Sequence, residues 1–296
     1  MRGSPTDRGS NPARPPADTL EARFAAFRAA HPPRSIVVDG RRWSYLAGGG
    51  EGPALLVLGG ALGKADFGFL AIEHLESDFR IIAPDYPPVN GLDDLSNGLA
   101  GILDAEGVRR CHVVGGSFGG VVAQAFARRH ENRVASLALS HTGAPRRAFG
   151  ARAALGIAER LPLSWLRGLF RRRVRSALAG ADPFWLRQFE ESVQRLTRAD
   201  LVGRMRAAAE LGDRYAQARP ERSPWPVLIL DSSSDPLVGV SDRQALRDLY
   251  PEAEIVDFEG TGHIASILEP KAFADVLSAF FTRAAGEAKG PDQSSG

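Results

Sequence analysis

The sequence predicts an α/β fold: a mostly parallel, doubly wound sheet with an inserted helical lid. Three observations lead to this prediction, namely short continuous apolar runs, helical patterns between them, and one long interval without any strand pattern. Continuous apolar runs are typical of strands buried on both faces, as in a parallel sheet. Because these runs alternate with helical patterns, we expect helices to cover the sheet.

The first elements precede this alternation. Residues 1–18 are rich in Gly, Ser, Pro and Arg, which predicts a disordered tail. The segment "TLEARFAAFRAAH" places its apolar residues on one helical face: Leu20, Phe24, Phe27 and Ala30. The segment "RSIVVDGRRWSYLAGG" predicts a hairpin that turns at Asp39-Gly40.

Six apolar runs then predict the strands of the sheet. They are "ALLVLGG" (54–60), "FRIIAPD" (79–85), "CHVVGG" (111–116), "VASLALSH" (134–141), "PVLILDSS" (226–233) and "AEIVDF" (253–258). Helical patterns accompany them over residues 93–106, 118–130, 242–250 and 271–285. Residues 286–296 have the composition of a second disordered tail.

The alternation breaks once, over residues 145–222, where amphipathic helical stretches replace strands. This interval holds 17 arginines and eight acidic residues, a formal charge of +9 in a chain whose net charge is +2. We expect a helical lid over the carboxyl edge of a sheet that is built from residues 19–144 and 223–285. The run Arg171-Arg172-Arg173 faces either an anionic substrate, a lipid surface or solvent.

Composition narrows the function classes. A net charge of +2 gives no overall field that would favour nucleic acid or a membrane surface. Cys111 is the single cysteine, so no disulfide forms within the chain. The start of the chain has no apolar signal segment and no run is long enough to span a membrane, so we expect a cytoplasmic protein. Neither metal-ligand spacing nor a dinucleotide fingerprint is found, so we expect no metal and no cofactor.

One serine lies between a predicted strand and a predicted helix. Gly115-Gly116-Ser117-Phe118-Gly119 matches the G-x-S-x-G pattern of a nucleophile elbow. The chain reverses sharply at such a turn, so a Cβ two residues before or after the serine would clash with backbone. The serine is held in a strained conformation with its hydroxyl exposed. We therefore expect Ser117 to be a catalytic nucleophile.

A serine nucleophile needs a base and an acid that orients the base. In folds with this turn, the acid and then the histidine follow the serine in the sequence. "VLILDSSSDPLVG" offers Asp235 in a loop and Asp231 at the strand end; we prefer Asp235, while a carboxylate that caps the turn is the alternative for Asp231. His263 follows the last strand, in "DFEGTGHIASILEP", and is the expected base.

The remaining candidates surround this predicted triad. The backbone N–H groups of Phe118 and Ala61, with Leu62 as the alternative to Ala61, are expected to form an oxyanion hole. His141 closes a strand and either lines the pocket or is a structural histidine at the sheet edge. Further candidates for the substrate pocket, all apolar or small, are Gly60, Leu62, Trp165, Leu166, Phe170, Phe184, Trp185 and Leu186. The bulky ones among these alternatively dock the lid helices onto the core.

These motifs resemble the α/β-hydrolase fold superfamily over about residues 34–285. "LVLGGALG", "GGSFGG", "LILDSSSDPLVG" and "EGTGHIA" lie at that family's landmarks, and "RSIVVDGRRWSYLAGG", "FRIIAPDYPPV" and "VVGGSFGGVVAQAFARRH" look like the maspardin-type branch. That branch is described as adaptor-like, and its members sometimes lack the catalytic histidine. This chain departs from many members at Gly59-Gly60, where they carry His-Gly, and in "PDYPPVNGLDDL", where they carry a Gly-rich motif.

The functional prediction is a serine hydrolase that cleaves a carboxylic ester or a related acyl bond, such as a thioester or lactone. Its expected partner is a small-molecule acyl substrate. The first alternative is a non-catalytic, maspardin-like adaptor on a retained scaffold. The second is a hydrolase or lyase that uses the same triad to cleave a C–C bond, because a fold does not fix the chemistry. The sequence predicts no oligomeric state.

Overall fold

The structure, a computed structural model, describes residues 19–147, 150–178, 180–216 and 223–287. The predicted tail at 1–18 lies outside the described residues, as do residues 288–296 of the second predicted tail. Residues 286 and 287 of that second tail are instead the end of a helix, which continues two residues beyond its predicted end at 285.

Eight strands form one sheet in the order β1-β2-β4-β3-β5-β6-β7-β8. They are β1 (Arg34–Val38), β2 (Arg41–Gly49), β3 (Ala54–Leu58), β4 (Arg80–Asp85), β5 (Cys111–Gly116), β6 (Val134–Ser140), β7 (Val227–Asp231) and β8 (Glu254–Asp257). Strands β3 to β8 pair in parallel, whereas β2 is antiparallel to both β1 and β4. The prediction of a mostly parallel sheet is confirmed.

The antiparallel end of the sheet is the predicted hairpin. Asp39 and Gly40 have φ angles of 49° and 74°, the left-handed values that a two-residue turn between twisted strands requires. The strands pair from Arg34 opposite Tyr45 to Val38 opposite Arg41.

Helices cover both faces of the sheet. Their bounds are α1 (Leu20–Ala30), α2 (Phe69–Leu75), α3 (Leu92–Ala105), α4 (Phe118–Arg129), α5 (Ala151–Arg160), α6 (Leu163–Ala177), α7 (Pro183–Arg195), α8 (Arg198–Tyr215), α9 (Val240–Leu249), α10 (Ala265–Leu268) and α11 (Pro270–Glu287). Alternate residues of each central strand enter two separate cores. Leu56 and Val113 pack with α3 and α4, whereas Leu55 and Val114 pack with α1, α2 and α11.

Between β6 and β7, the described residues form four helices, α5 to α8. We call them the helical insertion. Helix α8 is fixed to the core, since Glu210 accepts a 2.9 Å hydrogen bond from the Leu92 N–H and Arg214 pairs with Asp93 at 2.7 and 2.9 Å. Among the described residues, no helix has the length and apolar character needed to cross a membrane.

Candidate active site

Ser117 lies between β5 and α4 in a backbone conformation that is unfavourable for a side chain. Its φ angle is 54° and its ψ angle is −118°. The two flanking glycines explain how the turn closes. A Cβ on Gly115 would lie 2.3 Å from Gly119 O, and a Cβ on Gly119 would lie 2.0 Å from Leu58 O. The chain therefore makes the tight turn that the G-x-S-x-G pattern predicts.

The Gly119→Ala variant is expected to be less stable than the parent by about 3 kcal/mol, because the new methyl group has no room beside the end of β3. Gly116→Ala is the matched control, since a Cβ on Gly116 would meet nothing within 4 Å. Urea denaturation of both variants measures the difference. Equal midpoints for the two variants would show that the turn tolerates the extra carbon.

The loops after β7 and β8 bring an acid and a histidine together. His263 Nδ1 lies 2.8 Å from Asp235 Oδ2. The other carboxylate oxygen, Oδ1, accepts the N–H groups of Leu237 at 2.7 Å and Val238 at 3.0 Å. The Asp235 side chain is fully buried and that of His263 is 9% exposed. The carboxylate is thus fixed on both oxygens, and the ring is oriented by its contact with one of them.

The surroundings of Asp235 keep this carboxyl group ionised. Burial by itself raises its pKa, but the hydrogen bond and charge of His263 and the two backbone N–H groups lower the pKa below its ordinary value. Asp231, the alternative acid, is engaged elsewhere. Its oxygens lie 2.9 Å from Arg247 Nη2 and 3.4 Å from Arg243 Nε.

Ser117 and His263 line one cavity of about 230 Å³. No hydrogen bond joins them among the described residues, so the structure brings the two side chains to one cavity without a hydrogen bond between them. The other predicted site residues that line this cavity are Gly60, Ala61, Leu62 and His141. Gly60 is close to the serine, since a Cβ on Gly60 would lie 3.8 Å from Ser117 Cβ.

His141 is the second histidine of the cavity. Its ring centroid lies 5.7 Å from that of His263, its φ angle is 47°, and its Nδ1 lies 2.8 Å from Ser140 Oγ. Burial and the nearby His263 lower the pKa of His141 to about 4, although Asp235 raises it. His141 is therefore neutral near pH 7, and its buried Nε2 has no partner among the described residues.

Of the predicted pocket residues in the insertion, Phe170 lines the cavity, whereas Trp165, Leu166, Phe184, Trp185 and Leu186 lie outside it, which corrects the expectation for these five. Trp165 is 65% exposed on the outer side of α6. Phe184 and Trp185 are 1% and 2% exposed and pack in the core instead. The Phe184 ring lies 5.5 Å from that of Phe24 and 6.3 Å from that of Phe69, and the Trp185 ring lies 5.5 Å from that of Phe69, because the start of α7 packs on α1 and α2.

The cavity walls combine two helices of the insertion with two helices that the sequence did not assign to the site. From the insertion, α6 contributes Phe170 and Val174, Leu178 follows directly after α6 at the same spacing of four residues, and α7 contributes Phe189. The opposite wall consists of apolar residues of α2 and α11: Ala71, Ile72, Leu75, Phe273 and Leu277. The spacing in α6 is a signal that could have identified one wall. Helix α2 was not predicted, so its wall had no such signal.

The described residues offer no group of three or more His, Cys, Asp or Glu side chains that could hold a metal ion. Among the described residues that line the cavity, Lys64 is the one with an ionisable side chain besides the two histidines. Its Nζ lies 2.6 Å from Asp85 Oδ2. The arrangement is therefore an apolar cavity with a serine, two histidines and a buried carboxylate. It is suited to proton transfer and nucleophilic attack.

Comparison with known proteins adds relatives to this geometry. Residues 54–276 match the alpha/beta hydrolase family. The chain is 27% identical to the dihydrolipoyllysine-residue acetyltransferase component of the acetoin cleaving system of Pseudomonas putida, over 85% of this chain and 70% of that protein. It is 26% identical to the mouse sn-1-specific diacylglycerol lipase ABHD11, over 80% and 84%. The crystal structure of a hydrolase from Pseudomonas aeruginosa PA01 superposes with a TM-score of 0.73 at 22% identity, over 84% and 98%.

Proposed function

Because the chain belongs to the alpha/beta hydrolase family, we propose that it is a serine hydrolase that cleaves a carboxylic ester or a related acyl bond. The observation that carries this proposal is the His263–Asp235 contact of 2.8 Å at the cavity that Ser117 also lines. An imidazole that is oriented by a buried carboxylate is the base that a serine hydroxyl needs.

In the proposed mechanism, His263 Nε2 accepts the Ser117 proton while Oγ attacks the carbonyl carbon of the substrate. Asp235 holds the proton of the ring on Nδ1 and stabilises the imidazolium that forms. The carbonyl oxygen becomes negative and is bound by the N–H of Phe118 and that of Ala61 or Leu62. Collapse of the intermediate expels the alcohol, which takes the proton from His263, and water then releases the acyl group by the same steps.

The missing Ser117–His263 hydrogen bond is compatible with this mechanism. Catalytic hydrogen bonds are often long or poorly aligned in a ligand-free site and shorten in the complex with substrate. His263 lies in a loop that begins after β8, and Gly260 and Gly262 flank the approach with φ angles of 78° and 60°. The backbone just before His263 thus has the freedom for a small shift of the ring.

The apolar walls of the cavity support a hydrocarbon acyl group as the part of the substrate that enters it. Most of the surface of the cavity is apolar, and α2, α6 and α11 contribute aliphatic and aromatic residues to it. The names of the two curated relatives, an acetyltransferase component and a diacylglycerol lipase, concern acyl chemistry as well. We further propose that the helical insertion acts as a lid, since Phe170, Val174 and Leu178 face the same cavity.

Ala71→Leu is expected to reduce kcat/KM for an octanoyl ester about tenfold while the value for an acetyl ester changes less than about threefold. The larger side chain fills part of the cavity next to α2. Each methylene of the acyl chain that it displaces loses roughly 0.8 kcal/mol of burial free energy. A series of para-nitrophenyl esters measures the profile. An equal loss for every chain length would place the acyl chain elsewhere.

Two assays test the proposed function directly. A fluorophosphonate probe, which forms a bond with an activated serine, should label the parent on Ser117 and should not label Ser117→Ala. A panel of esters, thioesters, lactones and vinylogous diketones then identifies the bond that is cleaved. Absence of labelling and of turnover would favour the adaptor alternative, and turnover of the diketones alone would favour C–C hydrolysis.

A further inference from the structure

The loop after β3 carries one half of the proposed oxyanion hole, and hydrogen bonds hold most of its carbonyl groups. The Gly63 N–H donates to Gly60 O at 2.9 Å, which closes a four-residue turn. Tyr86 fixes this turn from the core. Its hydroxyl donates to Gly59 O at 3.0 Å, and its N–H donates to Gly63 O at 3.0 Å. Both ends of the turn are thus anchored.

The middle peptide of the turn, between Ala61 and Leu62, has its partner in the helical insertion. Arg204 of α8 donates from Nη1 to Ala61 O. Arg204 is only 5% exposed, and its Nη2 lies 3.4 Å from Asp200 Oδ1. A Cβ on Gly63 would lie 2.7 Å from Nη2, so the glycine leaves the space that the guanidinium fills. The guanidinium is therefore packed into the loop rather than laid over it.

We propose that Arg204 is a positioning residue that sets the geometry of the oxyanion-hole loop and adds a buried positive charge beside it. This inference rests on the proposed serine hydrolase function. It gives the helical insertion a part in the chemistry, beyond lining the cavity. Tyr86 holds the ends of the turn, while Arg204 holds its centre.

The geometric reason lies in the middle peptide. Turns of types I and II differ mainly in the orientation of this peptide. The C=O and N–H of a trans peptide point in opposite directions. A bond at Ala61 O therefore selects one orientation and directs the Leu62 N–H away from α8. The Ala61 N–H, on the preceding peptide, is restrained through the same turn.

The electrostatic reason is the charge of the guanidinium, which stays protonated in proteins. Burial lowers the pKa of Arg204, but Asp200, Tyr86 and Asp85 raise it. Charges interact more strongly in a buried site than in water. A fixed positive group near the loop therefore favours the state in which the carbonyl oxygen of the substrate is negative. Asp200 offsets part of this field because it contacts the same guanidinium.

The test compares Arg204→Met with Arg198→Met. Arg198 is the matched control because it starts the same helix and also donates to carbonyl groups, those of Ala158 at 3.1 Å and Glu159 at 3.0 Å, within the insertion. The readouts are kcat and KM for para-nitrophenyl butyrate and the inhibition constant of a butyl trifluoromethyl ketone. Ser117 Oγ adds to this ketone, its proton passes to His263, and the carbonyl electron pair becomes the oxyanion of a tetrahedral adduct.

We expect Arg204→Met to lower kcat about 30-fold, with KM within about threefold of the parent. The inhibition constant of the ketone should rise by a factor similar to the loss of kcat. Arg198→Met should leave both constants within about twofold. A change confined to KM or to thermal stability, or an unchanged affinity for the ketone, would overturn the proposal.

Two further variants keep the outcome decisive. If Arg204→Met does not fold, Arg204→Lys replaces it, because lysine keeps the charge and can donate hydrogen bonds but lacks the planar fork. Arg204→Lys should retain part of the affinity for the ketone. If its kcat and its affinity for the ketone both equalled those of the parent, the positioning role would be contradicted. Ser117→Ala, assayed in parallel, separates a failure of this inference from a failure of the proposed function.

Discussion

Replacing Ser117 by alanine is expected to lower kcat for acyl ester hydrolysis by about 10⁴-fold or more, equivalent to about 5.5 kcal/mol of activation free energy. The hydroxyl is the group that forms the acyl–enzyme bond in the proposed mechanism, so its removal leaves only attack by water. The unfolding free energy should change by less than about 1 kcal/mol, because the Ser117 hydroxyl has no hydrogen-bond partner among the described residues.

The measurement is kcat for the best ester of the panel, with urea denaturation to verify the fold. Ser266 and Ser140 also line the cavity, and their alanine variants reveal whether another hydroxyl is the nucleophile. Turnover by Ser117→Ala within about tenfold of the parent would contradict the assignment. A large loss in Ser266→Ala together with normal turnover in Ser117→Ala would move the nucleophile to Ser266.

The fold and the serine turn could be predicted because they are encoded locally. Each central strand is a short apolar run, since its alternate residues enter two cores, as Leu55 and Leu56 do. The turn at Ser117 requires small residues at fixed positions, since a Cβ on Gly115 or Gly119 would lie 2.3 or 2.0 Å from a backbone oxygen. A local steric requirement leaves a local pattern, and such a pattern is visible in one sequence.

The cavity could not be predicted in the same way because it depends on which helix faces meet. Phe184 and Trp185 have the residue types of an acyl pocket but pack against α1 and α2. Phe170, another predicted pocket residue, does line the cavity, together with Val174 one turn further along α6. The same apolar residue types occur in the packed core and in the cavity wall. Composition therefore does not tell a helix that docks on the core from one that lines the pocket. Arg204 gave no signal either, because arginine is common throughout the insertion.

The choice between Asp231 and Asp235 shows the same limit at the level of one side chain. Asp231 ends an apolar run, Asp235 lies in the loop that follows it, and both are buried in the structure. They differ in their neighbours: Arg243 and Arg247 approach the first, whereas His263 approaches the second. These neighbours come from later segments of the chain, so only their packing separates the two acids.

Replacing Asp235 by asparagine is expected to lower kcat at neutral pH by about 10³- to 10⁴-fold, while the fold is retained. The reason is the direction of the hydrogen bonds at this side chain. The N–H groups of Leu237 and Val238 both donate to Oδ1, so the amide oxygen of asparagine must take that place. The amide NH₂ then faces His263 Nδ1, which has to accept a hydrogen bond instead of donating one. The ring carries its proton on Nε2, and Nε2 in that form cannot receive the proton of Ser117.

Asp231→Asn is the matched control, an identical change at an acid that ends the preceding strand. It removes the charge that pairs with Arg243 and Arg247, so we expect lower stability but a kcat within about fivefold of the parent. Steady-state kinetics on both variants, with NMR of the imidazole nitrogens of His263 in Asp235→Asn, distinguishes the two roles. A normal kcat in Asp235→Asn, or a shared loss in both variants, would contradict the proposed function of Asp235. If instead the loss is confined to Asp235→Asn and the proton is found on Nε2, then the two backbone N–H groups that hold Oδ1 determine which nitrogen of His263 is free to act as the base.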